Sequence, residues 1–213
     1  MYLSKLTLNL RNKQVRYELN NPYEMHRTLL KAFTENDVVK DKILFRIEPV
    51  YNSHLLIAEV LVQNNKVEPQ WENLTVKENY FFCQPQTKKI NFTQIQPNFY
   101  KFKLKANATV KRNGKRYALY KEEQQIEWLK RKGLLYGFEP IYVNCSSFTI
   151  GSVSKTKNAK SINLKKSDIY HFGVNYIGII KVTNASKFIE AISSGIGPAK
   201  AFGFGMLTIA KND

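Results

Sequence analysis

Asn20-Asn21-Pro22-Tyr23-Glu24-Met25-His26-Arg27-Thr28-Leu29-Leu30-Lys31, residues 20–31, opens with a helix start signal and then sorts its side chains by face. Asn21 is placed to cap, Glu24 stands where a capping-box acid reaches back, and Pro22 fits the first helical position, where the N–H it lacks would go unbonded anyway. At about 100° per residue, Pro22, Met25, Leu29, Ala32 and Phe33 share one arc, which should face a core. Tyr23, Arg27 and Lys31 share another, with His26 on the border. The spacing predicts a helix over about 21–35 whose rim carries an imidazole, a phenol and two cations. That set suits acid–base chemistry beside a phosphate. Each member also has a plainer reading: a half-buried packing histidine, a surface aromatic, and a solvated cation pair.

Working outward, Leu6, Leu8 and Leu10 alternate with Thr7 and Asn9, which is the period of a strand over 2–10 and not of a signal peptide. After the helix, Asn36-Asp37 closes it and 42–49 reads as a strand. Asn52-Ser53 turns the chain into a third strand, His54 to Val62, and a short helix follows near 70–77. The Gln/Pro/Asn-rich stretch 84–98 is a linker or an irregular edge strand. The second half repeats the order. Tyr100, Phe102, Leu104 and Ala106 alternate with Lys101, Lys103 and Lys105, a strand with one basic face. Asn113-Gly114 is a tight-turn signal flanked by Lys111, Arg112, Lys115 and Arg116. A helix over 121–132 follows, with Ile126 and Leu129 as its apolar side and Gly133 as its stop. Ile141 to Ile150 and Ser161 to Val182 supply strands around a basic loop, 185–194 a short helix, and Met206 to Ala210 a last strand. The expected class is α+β: two tandem ferredoxin-like (βαββαβ, RRM-like) domains, residues 1–95 and 96–213.

Lys plus Arg number 33 against 17 acids in 213 residues, a formal charge of +16. Such a surplus points to a polyanion, nucleic acid ahead of an anionic membrane. No stretch approaches the roughly 20 apolar residues a spanning helix needs. Cys83 and Cys145 lie far apart, which suggests a reducing, cytoplasmic compartment and packing roles. His54 and His171 lack ligand spacing, so no metal and no small-molecule cofactor are expected.

Gly195-Ile196-Gly197-Pro198-Ala199-Lys200-Ala201-Phe202-Gly203-Phe204-Gly205 fits neither a phosphate-binding Walker loop nor a dinucleotide fingerprint. It either lets backbone N–H groups approach an anion, with Lys200 adding charge, or is a helix-to-strand connection that needs positive φ. Lys155, Lys157 and Lys160, followed by Lys165-Lys166, form a cationic loop that is either simply solvated or, with the Asn113-Gly114 turn, a track for a phosphate backbone. One histidine at a helix rim, a polyanion partner and no metal fit RNA cleavage by transesterification. The 2′-OH attacks the adjacent phosphate, which requires a proton acceptor, a proton donor and cations.

Asn-Pro-Tyr-Glu-Met-His-Arg-Thr-Leu at 21–29 and Gly-Ile-Gly-Pro-Ala-Lys-Ala-Phe-Gly-Phe-Gly-Met-Leu at 195–207 resemble the CRISPR repeat-processing endoribonucleases of type I-E systems, the CasE/Cse family. Chain length, the N-terminal strand and Gly114-Lys115-Arg116 after the hairpin turn extend the resemblance to nearly the whole chain. It implies two ferredoxin-like domains and metal-independent cleavage of precursor CRISPR RNA at the 3′ base of the repeat stem-loop, leaving a 2′,3′-cyclic phosphate and a 5′-OH. It further implies that the protein stays on the mature guide's hairpin within the Cascade complex. The family's active-site tyrosine, histidine and lysine fall on Tyr23, His26 and Lys31. Its RNA-positioning loop is similar to Gly195, Gly197, Lys200, Gly203 and Gly205. The basic hairpins match in place and charge, and Arg27 is the further cation expected at the phosphate. Placed near the positive end of its helix, His26 is expected to be neutral. Two alternatives remain at this point: a hairpin-binding subunit that does not cut, and a structural ribonucleoprotein component.

Overall fold

The computed structural model describes residues 1–33, 42–48, 55–74, 76–92, 95–153 and 168–212. Strand β1 (Tyr2–Asn9) runs between β3 (Ile57–Asn64) and β4 (Gln86–Lys89), and β2 (Leu44–Ile47) flanks β3, all antiparallel. Alternation sends Leu6 and Leu8 into a core shared with Val60 and Val62, against which Val15, Met25 and Leu29 pack. The second sheet has the order β10-β5-β9-β8, from β5 (Phe99–Ala106), β8 (Phe138–Val153), β9 (Asp168–Val182) and β10 (Leu207–Lys211). Counted within each half, both sheets have the strand order 4-1-3-2 of a ferredoxin-like unit. A two-stranded ribbon, β6 (Thr109–Arg112) and β7 (Lys115–Ala118), is inserted after β5. Asn113 and Gly114 join its strands with φ of 47° and 79°, as a tight hairpin turn requires. No helix among the described residues is long and apolar enough to cross a membrane.

The histidine helix differs from its expected form. Two helices meet at Asn21: α1 (Lys13–Asn20), capped by the side chain of Asn12, and α2 (Pro22–Leu30). Pro22 is the cause, because a residue before proline is driven out of the helical region, and Asn21 sits at φ −132°, ψ 75°. The Asn21 side chain makes no cap bond; its amide donates to the Tyr17 carbonyl at 2.8 Å. Glu24 does not reach back to the helix start either and instead pairs with Arg27 at 3.1 Å. Lys31 terminates α2, short of the expected end at 35, and the expected Asn36-Asp37 stop lies outside the described residues, as does the Asn52-Ser53 turn.

Two more expectations are corrected. Gly133 does not stop its helix: α3 spans Glu122–Tyr136 and ends at Gly137, in the left-handed region at φ 72°. A Cβ at Gly133 would stand 2.3 Å from the Phe138 carbonyl, so this glycine lets β8 begin against the helix it follows. The short helix near 70–77 is a single 3-10 turn, Trp71–Asn73. Of the two readings of 84–98, the edge strand holds: the stretch contains β4, whose four side chains are all exposed and so carry no apolar alternation. The helix over 185–194 is α4 (Ala185–Ser194).

A buried guanidinium ties the two sheets together. Arg46 on β2 is 3% exposed. It donates to the Lys103 carbonyl at 3.1 Å, the Met206 carbonyl at 3.2 Å and the Thr208 hydroxyl at 2.9 Å, all on the second sheet or its approach. Glu48 accepts from Arg46 at 2.6 Å and pairs with Lys103. The second sheet's glycine-rich segment is thereby held against α2.

Candidate active site

The arcs on α2 separate as their periodicity requires. Pro22, Met25 and Leu29 are buried, Tyr23, Arg27 and Lys31 are exposed, and His26 is half-buried between them. Desolvation lowers the His26 pKa below the usual histidine value, so the ring is neutral at neutral pH. The cause is burial, not the helix end expected from the sequence: His26 lies beyond the first turn of α2. Its ring lies 6.1 Å from that of Phe45 on β2.

The segment 195–205 closes over this rim. Its 3-10 turn, Lys200–Phe202, packs on α2 and β2. The Phe202 ring lies tilted against that of Tyr23, with centroids 5.6 Å apart and planes at 30°. Gly203, at φ +80°, lets the chain pass the Phe45 ring, which a Cβ would approach to 3.2 Å. Gly195, at φ +74°, abuts Leu44 in the same way, with a Cβ falling 2.8 Å from both methyls. Gly197 and Gly205 also have positive φ. Of the two readings of this segment, the connection needing positive φ and close packing accounts for the glycines. What the segment offers a ligand is Lys200, half-exposed above that packing.

Lys200 begins a line of cations. Burial lowers its pKa, and the charges of Lys42 and Lys132 lower it further. The Lys132 pKa is lowered in turn by burial, then by Arg131 and Arg116. Arg131 and Lys132 share a groove with Lys111 between α3 and the ribbon. On the ribbon itself, Lys111 faces Arg116 and Arg112 faces Lys115 across the strands. Like charges in register repel, and a phosphate between them would relieve the repulsion. The track thus runs from the glycine-rich segment to the ribbon. Lys42, Arg131 and Lys132 were not singled out from the sequence; the run Lys130-Arg131-Lys132 in the last turns of α3 was the available signal. Lys155, Lys157 and Lys160 lie outside the described residues.

Arg27 and Lys31 stand free of the packing. The exposed Arg27–Glu24 pair is of the kind worth about 1 kcal/mol or less, which leaves Arg27 open to a competing phosphate. Lys31, at the C-cap of α2, is five residues beyond His26, about 7.5 Å along the helix axis and about 140° round it, so its long side chain must curl back to meet a phosphate at His26. His171 on β9, read as a scattered histidine, lies 4.1 Å from the Phe202 ring, on the same turn that packs against Tyr23. Phe202 stands 31 positions from His171 and 179 from Tyr23, so no local pattern in the sequence signals the cluster. Thr28 was missed too: it is buried and donates to the buried Glu18 carboxylate at 2.7 Å, bracing α2 against α1. No cluster of three or more His, Cys, Asp or Glu converges among the described residues. Cys145 is half-buried, and burial, with Glu122 adding to it, pushes its thiol up to about 11, against a nucleophile.

The model of a family described as CRISPR associated protein matches residues 1–211. The chain is 30% identical to the CRISPR-associated endoribonuclease Cse3 of Thermus thermophilus over 220 residues, covering 99% of this chain and 100% of the relative. It is 25% identical to the Cascade subunit CasE of Escherichia coli, covering 99% of both. A solved structure of the endoribonuclease Cse3 bound to a 19-nucleotide RNA superposes with a TM-score of 0.86 at 28% identity, covering 99% of this chain and 100% of that one.

Proposed function

The chain belongs to the CRISPR-associated protein family, and on that premise we propose that it is an endoribonuclease cutting precursor CRISPR RNA at the 3′ base of the repeat stem-loop. The observation that carries the reading is the neutral, half-buried imidazole of His26, set beside the Tyr23–Phe202 ring pair at the start of a cation track. The named relatives, an endoribonuclease and a neighbour holding RNA, support the same class of activity.

The reaction follows from the groups available. The ribose 2′-oxygen attacks the adjacent phosphorus as its proton passes to a base, and the P–O5′ bond breaks as a proton reaches the departing 5′-oxygen. The products are a 2′,3′-cyclic phosphate and a 5′-hydroxyl. His26 serves as base or acid, Tyr23 orients the imidazole or the 2′-OH, and Lys31 with Arg27 stabilises charge on the phosphorane-like transition state. These groups move protons and offset charge; they are not the oxygen ligands a hard cation prefers, so the reaction is proposed to need no metal. The cation track holds the stem by its phosphates, with recognition by A-form shape. The product stays bound, and the protein acts in the cytoplasm as a subunit of a Cascade complex, as the name of its Escherichia coli relative suggests. Incubating a labelled repeat hairpin with the pure protein tests the reading: a cut with a cyclic-phosphate end supports it, and a mobility shift with intact RNA refutes it.

Burial sets the pH dependence. A histidine pKa lowered in the folded protein leaves the free base populated at lower pH than usual. If His26 is the base, the acid limb of the cleavage rate falls below the ordinary histidine value of about 6.5. A single-turnover rate profile with that limb above the ordinary value would remove the neutral imidazole from the mechanism.

A further inference from the structure

We infer that a second site, next to the proposed cleavage site, takes one unpaired nucleobase of the RNA. The inference rests on the reading of the chain as an RNA-processing protein. A cavity of about 540 Å³ opens between the ribbon, β9 and the glycine-rich segment. Thr109, Arg116, Tyr120, His171 and Phe202 contribute to its lining. Two polar atoms among these residues, Thr109 Oγ1 and His171 Nε2, are buried without a hydrogen-bond partner. Native structures contain few such atoms, because a buried donor or acceptor left unbonded is costly. Two in the lining of one cavity call for a ligand with a polar edge.

The rest of the lining specifies a planar one. Tyr120 is 72% exposed, its ring held edge-on to Phe172 at 4.7 Å. Phe202 lies tilted against the imidazole of His171. Aromatic faces stack bases irrespective of sequence. Arg116 supplies a cation for the attached phosphate, a pairing that guanidinium geometry favours. The His171 pKa is lowered by burial, so its ring is neutral and suited to an uncharged heterocycle. A flat ring with a hydrogen-bonding edge and a phosphate attached is a nucleotide. It must be unpaired, because a base within the stem presents neither face.

The site also touches the chemistry. Phe202 lies between Tyr23 on one side and His171 on the other. Nε2 of His171 and Oγ1 of Thr109 are both closed off, so a base reaches them only as the side chains over them move aside.

The test is an abasic scan of the repeat hairpin and its single-stranded flanks, made uncleavable by a 2′-deoxy nucleotide before the cut. Affinity for the full chain is measured against affinity for Thr109→Val, which removes the hydroxyl at constant shape, and for Tyr120→Ala, an exposed change that spares the core. One flanking position is expected at which loss of the base weakens binding to the native protein about tenfold, with less than about a twofold effect in either variant. The same abasic penalty in native and variant proteins, or no penalised flanking position, overturns the base site alone. Failure of the native protein to bind any repeat hairpin overturns it together with the function on which it rests.

Discussion

Replacing His26 by alanine is expected to slow cleavage of the repeat hairpin by at least ~10²-fold, the range in which a positioned proton carrier contributes. Hairpin affinity should change by less than about twofold, because phosphate contacts on Lys200, Lys132 and the ribbon carry the binding. The separation of rate from affinity follows from the geometry. His26 is half-buried and neutral, a poor phosphate ligand, whereas the cations that lower one another's pKa lie along a line leading away from it. Single-turnover rates at saturating protein, paired with filter-binding affinities, read the two effects independently. Undiminished cleavage by the variant would remove His26 from the chemistry. An equal loss of rate and affinity would make it a binding residue.

Arg46→Ala is expected to destabilise the protein by about 3–5 kcal/mol, the cost of breaking a buried ion pair by removing one partner. The alanine would leave the Lys103 and Met206 carbonyls and the Thr208 hydroxyl without their donor and Glu48 without one of its two cations. Urea unfolding followed by fluorescence measures the change. A loss below about 1 kcal/mol would show that water replaces the guanidinium freely, as at an exposed pair. The same variant should lose activity before it unfolds. Met206 directly follows Gly205, and Phe45, next to Arg46, touches both Gly203 and His26. The guanidinium therefore holds the glycine-rich segment on the histidine helix as well as holding the sheets together.

The parts of this protein that repeat a short pattern could be read from its sequence. Leu6 and Leu8, or Tyr100 through Ala106, announce strands by alternation, and Asn113-Gly114 announces its turn because few other residues accept those backbone angles. The arcs on α2 sorted correctly into buried, exposed and intermediate side chains. What local pattern does not encode was missed. Gly133 looked like a stop because glycine disfavours helices, but the residue answers to a backbone that approaches from Phe138. β4 has no buried face and hence no period, so its stretch reads equally as a linker or an edge strand. Arg46 acquires its surroundings only when the second sheet folds against the first, and His171 only when the glycine-rich segment folds back over β9. The charge of the track was visible as a total, but its line, through Lys42, Arg131 and Lys132, was not.

The most direct measurement of the central claim compares two repeat hairpins that differ in one atom. Both are incubated with the protein in excess chelator, one all-ribose and the other carrying a 2′-deoxy nucleotide immediately before the cut. The account predicts that the ribose substrate is cut to a 2′,3′-cyclic phosphate in chelator and that the deoxy substrate binds equally well yet stays whole. Cleavage of the deoxy substrate, or loss of cleavage on chelation alone, would contradict attack by the ribose oxygen under His26.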